Sequence, residues 1–83
     1  MNFEQAAEQA KNLSVKPSDD QMLQLYGLYK QATVGDINTS RPGFWDMVGK
    51  AKWDSWKSYE SVSQEDAKKR YIKLVDYLSL GEL

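Results

Sequence analysis

Three stretches of this chain open with the same local signal: a small polar residue, then three positions later a residue that can complete the cap, then apolar residues at helical spacing. Asn2 precedes Gln5, Ser18 precedes Gln21 with Asp19 and Asp20 between them, and Ser63 precedes Asp66. In such a pair the first side chain accepts a bond from an orphan backbone N–H of the opening turn, and acids nearby suit the positive end of the helix dipole. The first signal runs into Phe3, Ala6, Ala7, Ala10 and Leu13, predicting a helix over about 3–12. The second leads to Met22, Leu25, Tyr26, Tyr29 and Thr33, widened by Leu28 and Ala32, over about 19–33. The third carries Ala67, Tyr71, Leu74, Val75 and Leu78 on one stripe, over about 64–79. Between the last two, Val48, Ala51, Ser55 and Tyr59 share a face beside Trp45, Trp53 and Trp56. Gly49 weakens the start of that segment, so a helix is expected at about 49–58. No stretch alternates like a strand, and the fold class is all-α, a four-helix bundle.

With 83 residues the chain is expected to form a single domain, 1–83. At this size folding buries roughly 63% of the unfolded surface, enough for one modest core. Gly27, inside the second helix, costs about 1 kcal/mol relative to alanine and would let another group approach closely. Gly35 to Gly43 carries Asp36, Asn38, Thr39, Ser40 and Pro42, the chemistry of a long loop, and loops of that length are often functional.

The chain has no cysteine and no histidine. Disulfides, thiol nucleophiles, zinc fingers and every Ser-His-Asp arrangement are therefore excluded, and no pair of acids stands out by spacing as a general acid and base. Nothing marks an enzyme. Asp36 to Ser40 imitates the first half of a calcium loop, but Arg41 stands where the turn needs glycine and Met47 where a bidentate glutamate belongs, so no metal is expected. The triplets starting at Asn12 and Asn38 match a glycosylation signal without a secretory segment to give it meaning. The opening residues lack the pattern of a signal peptide and no apolar run is long enough to span a membrane, which leads to an expectation of a soluble, cytoplasmic protein.

Net charge is −1. That disfavours nucleic acid as a partner, yet the cations are clustered: Lys30, Arg41, Lys50, Lys52 and Lys57 in one region, and Lys68, Lys69, Arg70 and Lys73 in another. A small anionic ligand suits that distribution. Tyr26 and Lys30 lie one turn apart and face the same way, with Tyr29 beside them. Tyrosines at core spacing are more often structural than functional, and a lone lysine is usually solvated, so the pairing counts for more than either residue. Lys50 and Lys52 cannot both point at one site, and Lys52 is the candidate. Lys11 borders the alanine face of the first helix.

The segments YGLYKQATVGDIN at 26–38, RPG at 41–43, GKAKWDSW at 49–56 and SQEDAKKRYI at 63–72 together resemble the acyl-CoA-binding protein family. The match in order and spacing covers nearly the whole chain. The resemblance implies an up-down-down-up order of helices and one groove for a medium- or long-chain fatty acyl-CoA thioester, held by a monomeric carrier and pool former with no cofactor. It implies that Tyr26, Lys30 and Lys52 serve the ribose 3′-phosphate, that Tyr29 contacts the adenine, and that Lys11 and Tyr71 line the site. Transient contact with membranes or with acyl-CoA-using enzymes is compatible with that role. Met22, Leu25, the alanine face and Trp53 are candidate walls for the acyl chain. Ser55 stands where the family commonly has alanine, and Trp45 is bulkier than the expected aliphatic. Without the resemblance, a helical module gripping a partner helix in an aromatic groove is the alternative.

Overall fold

A computed structural model describes residues 1–80, which form four helices: α1 (Phe3–Lys11), α2 (Asp19–Thr33), α3 (Met47–Ser58) and α4 (Gln64–Ser79). The expected domain of 1–83 extends three residues beyond this range. Each of the three capping signals operates. The Asn2 and Ser18 side chains accept from the backbone N–H of Gln5 and Gln21, whose own side chains bond back to the cap, and Ser63 accepts from Asp66.

Helix α3 begins two residues before its expected start. Asp46 caps it, accepting from the Gly49 backbone N–H at 2.9 Å. A Cβ on Gly49 would collide with that carboxylate, so the residue that lowers helix propensity here is the one that admits the cap.

Side-chain contacts give the helix directions. Phe3 meets Tyr71, and Gln9 meets Ser79, so α1 and α4 run parallel. The Gln31 side chain donates to the Val62 carbonyl and Gln64 donates to Ala32 O, so the end of α2 meets the start of α4 and the two are antiparallel. Asp19, Met22 and Leu23 at the start of α2 line a recess with Met47, Val48 and Ala51 at the start of α3, and Lys30 near the end of α2 lies over Trp56 near the end of α3, so α2 and α3 are parallel. The order is up-down-down-up.

Parallel neighbours require the connection to return along the full length of α3, about 18 Å for twelve residues. The loop 34–46 makes that return and is stitched to α3 along its way. Trp56 Nε1 donates to Gly35 O at 2.8 Å and Trp53 Nε1 to Thr39 O at 2.9 Å, while Arg41 grips Asp54 through two bonds of 2.9 Å. Gly35 takes φ +99°, the left-handed turn that leaves α2. Asp36 accepts from both Gln31 and the Ser61 backbone N–H, tying the loop to the α3–α4 connection.

The core consists of Ala6, Leu28, Tyr71 and Val75, flanked by Phe3, Ala7, Ala10, Leu25, Ile72 and Leu74, with Ala32, Trp56 and Ala67 also buried. Val48, grouped by spacing with Ala51, Ser55 and Tyr59 on one face, is exposed. It lies on the opening turn of α3, where a recess parts that helix from Met22 and Leu23 of α2.

Candidate ligand-binding site

Helix α2 forms the spine of the site. Tyr26, Tyr29 and Lys30 occupy one side of it, and the parallel α3 sets Lys52 and Trp56 beside them. The Lys52 ammonium lies over the Tyr26 ring, 5.4 Å from its centroid, and the Lys30 ammonium lies 4.9 Å from that of Trp56. Each cation thus rests on an aromatic face while its N–H groups remain free to turn toward an anion. Lys50 lines neither the pocket that holds Tyr26 and Lys30 nor the groove beyond it, whereas Lys52 lines both. Lys52 is therefore the lysine of this pair that faces the site. Tyr26, Lys30 and Lys52 line one pocket together with Thr39, Ser40, Pro42, Gly49, Trp53 and Trp56.

On the other side of Tyr26 the surface changes character. A groove of about 370 Å³ runs between Ala10, Met22, Leu23, Leu25, Tyr26, Tyr29, Lys52 and Tyr71, and its walls are almost wholly apolar. It adjoins a second groove of about 530 Å³, against α1, bounded by Phe3, Glu4, Ala7, Glu8, Ala10, Lys11, Tyr29 and Tyr71. Three rings divide the two: Phe3 stacks on Tyr29 at 5.7 Å, and Tyr71 tilts against Phe3 at 5.2 Å and Tyr29 at 5.9 Å. Burial, with the neighbouring Tyr29, raises the Tyr71 phenol above its ordinary value, so it is a neutral hydroxyl at physiological pH.

All six candidate residues therefore border one continuous depression, with Tyr26 and Lys52 shared between the cationic pocket and the apolar groove, and Tyr29 and Tyr71 shared between the two grooves. Lys11 stands at the α1 rim, paired with Glu8 at 3.4 Å, both side chains well exposed. Met22, Leu25 and Ala10 line the apolar groove and Ala7 lines the groove against α1, whereas Ala6 is buried in the core. Trp53 lines neither groove: its indole belongs to the cationic pocket and anchors the loop. Leu23, Phe3 and Lys68, whose ammonium lies 5.8 Å from the Phe3 ring, complete the surroundings. Lys68 belongs to the acid-free basic run 68–73, the one sequence signal that could have placed it here.

Cations and phenols at one end and apolar walls at the other define a helical bundle built to hold a small amphiphile with an anionic head. The family model for "Acyl CoA binding protein" matches residues 1–75, and the chain belongs to that family. It is 57% identical over 76 residues to an acyl-CoA-binding protein of Gossypium hirsutum, covering 92% of this chain and 85% of the relative, and 50% identical over 76 residues to that of Saccharomyces cerevisiae, covering 92% and 87%. The crystal structure of Oryza sativa acyl-CoA-binding protein 2 superposes with a TM-score of 0.90 at 49% identity, covering 96% of this chain and 86% of that one. The Moniliophthora perniciosa protein gives 0.87 at 45%, covering 92% and 76%.

Proposed function

We propose that this protein binds fatty acyl-CoA thioesters and carries them, withdrawing the acyl chain from water. The carrying observation is that the cationic pocket and the apolar groove meet at Tyr26 and Lys52, so a single ligand can place its phosphate in one and its hydrocarbon in the other. In this reading Tyr26, Lys30 and Lys52 hold the 3′-phosphate, because charge-assisted bonds from two ammonium groups and a phenol suit a phosphate that is anionic at neutral pH. The exposed face of Tyr29 takes the adenine, while Tyr71 and Lys11 border the thioester side. Each buried methylene contributes about 0.8 kcal/mol, nearly fourfold in affinity before ordering costs, which favours medium and long chains.

The protein acts as a carrier and leaves the thioester intact: among the described residues, no tyrosine hydroxyl lining the grooves bonds to a carboxylate that would activate it as a nucleophile. It works as a monomer in the cytoplasm. No helix of the described residues is long and apolar enough to cross a membrane, in keeping with that location. Calorimetric titration with palmitoyl-CoA, palmitate and CoA decides the reading. The thioester should bind far more tightly than either part, and equal affinity for palmitate and palmitoyl-CoA would overturn it.

A further inference from the structure

The apolar groove does not end at Met22 and Leu23. The same two side chains form one wall of a further recess of about 380 Å³ whose other wall is Met47, Val48 and Ala51 of α3. Beyond that recess lie the most exposed large apolar side chains among the described residues. Phe44 is 80% exposed, Trp45 77%, Met47 74% and Val48 67%. These residues, adjacent in sequence apart from the capping Asp46, form a tip where the loop enters α3. The tip has a defined shape. Phe44 and Trp45 meet edge to face at 5.3 Å, and the Trp45 ring folds back over Gly43, where a Cβ would come within 2.8 Å of it.

Resting on the carrier reading above, we infer that this tip docks on the surface of a zwitterionic lipid bilayer and that the acyl chain passes between bilayer and groove through the Met22–Val48 recess. Three observations select a bilayer over other occupants. The tip is continuous with the groove, and the groove's ligand carries a chain that partitions into lipid. Its composition, Trp and Phe beside aliphatic side chains with Lys50 and Lys52 one turn behind, is that of a segment seated at the headgroup boundary. Its extent, two aromatic and two aliphatic side chains, falls short of the roughly 800 Å² per partner that a stable dimer buries. The acids bordering the tip, Asp19 on the recess and Asp46 at the cap, disfavour a strongly anionic membrane.

The test uses the double variant Phe44→Ser/Trp45→Ser, at two residues that line neither the apolar groove nor the cationic pocket. Pyrene-labelled dodecanoyl-CoA is loaded into phosphatidylcholine vesicles and its transfer to the protein is followed by stopped flow. The rate should rise in proportion to vesicle concentration and fall at least tenfold in the variant, with octanoyl-CoA affinity in vesicle-free buffer unchanged within twofold. Trp45 emission should be quenched by brominated phosphatidylcholine, a loss absent in Trp45→Phe. A rate independent of vesicle concentration, or equal in the variant, would overturn the proposal. So would a wild-type dimer in sedimentation equilibrium that the variant abolishes, which would assign the tip to a second copy. Absence of octanoyl-CoA binding to the wild type would remove the carrier reading instead, and Trp45 quenching would still decide the docking surface.

Discussion

Gly27 of α2 and Ser55 of α3 form the crossing point of the two helices: a Cβ on Gly27 would lie 2.5 Å from the Ser55 hydroxyl oxygen and 2.8 Å from the Ser55 carbonyl oxygen. The hydroxyl itself donates to Leu23 O at 2.5 Å, one turn back along α2. The two backbones approach because neither residue keeps a bulky group between them. That approach sets Lys52 over Tyr26 and Lys30 beside Trp56, so the geometry of the cationic pocket depends on it.

Gly27→Ala therefore sets two effects against each other. Helix propensity gains about 1 kcal/mol, whereas overpacking against backbone costs about 1–3 kcal/mol or more, because a carbonyl cannot rotate away as a side chain can. The variant should be less stable in urea titration and bind acyl-CoA more weakly. Adding Ser55→Ala should recover only part of the loss, since the carbonyl contact remains. Full recovery would mean the hydroxyl alone sets the limit.

The same pair indicates what was legible in the sequence. A glycine within an apolar stripe signals close approach, but nothing local says that Ser55, 28 positions later, supplies the partner. The caps at Asn2, Ser18 and Ser63 were readable because each is complete within four residues. The start of α3 was obscured because propensity counts Gly49 as a breaker, while the Asp46 carboxylate requires it. The exposure of Val48 could not be read from spacing either, since it keeps the period of Ala51 and Ser55 but lies where a recess parts α3 from α2. Bonds from Trp53, Trp56 and Arg41 that fasten the loop join residues 13 to 21 positions apart, and no short pattern announces them. Of the six candidate residues, spacing joined Tyr26, Tyr29 and Lys30, chose Lys52 from its lysine pair and set Lys11 beside the alanine face; the roles of these five, and Tyr71 as a site residue, rest on the family resemblance.

If Lys30 and Lys52 hold the phosphate as proposed, Lys30→Ala and Lys52→Ala should each weaken acyl-CoA binding by about 1.5–3 kcal/mol, roughly ten- to 150-fold, through loss of a charge-assisted bond. Denaturation midpoints should move little, as the cation–ring contacts they lose are worth about 0.5–1 kcal/mol at exposed sites. Comparison with the 3′-dephosphorylated ligand makes the assignment specific. Wild-type protein should prefer the phosphorylated form, and each variant should lose most of that preference. A variant that weakens both ligands equally would place its lysine elsewhere on the nucleotide.

Alkaline pH tests the aromatic cluster. Burial raises the Tyr71 phenol above its ordinary value of 10.0, with Tyr29 adding to the effect, and burial likewise raises Tyr59 against the opposing charge of Arg70. A folded-state pKa above the unfolded one means that the stabilising contribution is complete below about pH 10 and is lost as pH rises through the folded value. Thermal midpoints should hold steady to that point and then fall. Tyr71→Phe should shallow the fall without changing the midpoint at pH 7 by more than a few degrees, because the ring packing against Phe3 and Tyr29 is retained. Tyr71→Ala removes that packing and should cost about 3–5 kcal/mol.

Gln31 offers a test of opposite sign. It is 1% exposed, its amide nitrogen donates to Asp36 at 2.9 Å and to Val62 O at 2.8 Å, and its own oxygen has no hydrogen-bond partner. Asp36 is held below its ordinary 3.8 by the Ser61 N–H first and Gln31 second, so its stabilising contribution is present at neutral pH and is lost as pH falls through the folded value. Gln31→Glu reverses the arrangement, placing a buried carboxylate against a second carboxylate and leaving Val62 O without its donor. At pH 7 the cost should be about 3–5 kcal/mol. The new carboxyl has its folded pKa raised by burial and like charge, so its ionisation penalises the fold as pH rises and is relieved as pH falls toward its ordinary value of about 4.3. Between pH 7 and 5 calorimetric stability should therefore increase for Gln31→Glu while the wild type stays level. Gln31→Met, which fills the space without a charge, should show a deficit of the same size at both pH values; a matching pH trend in that variant would show that the effect does not come from the introduced carboxyl.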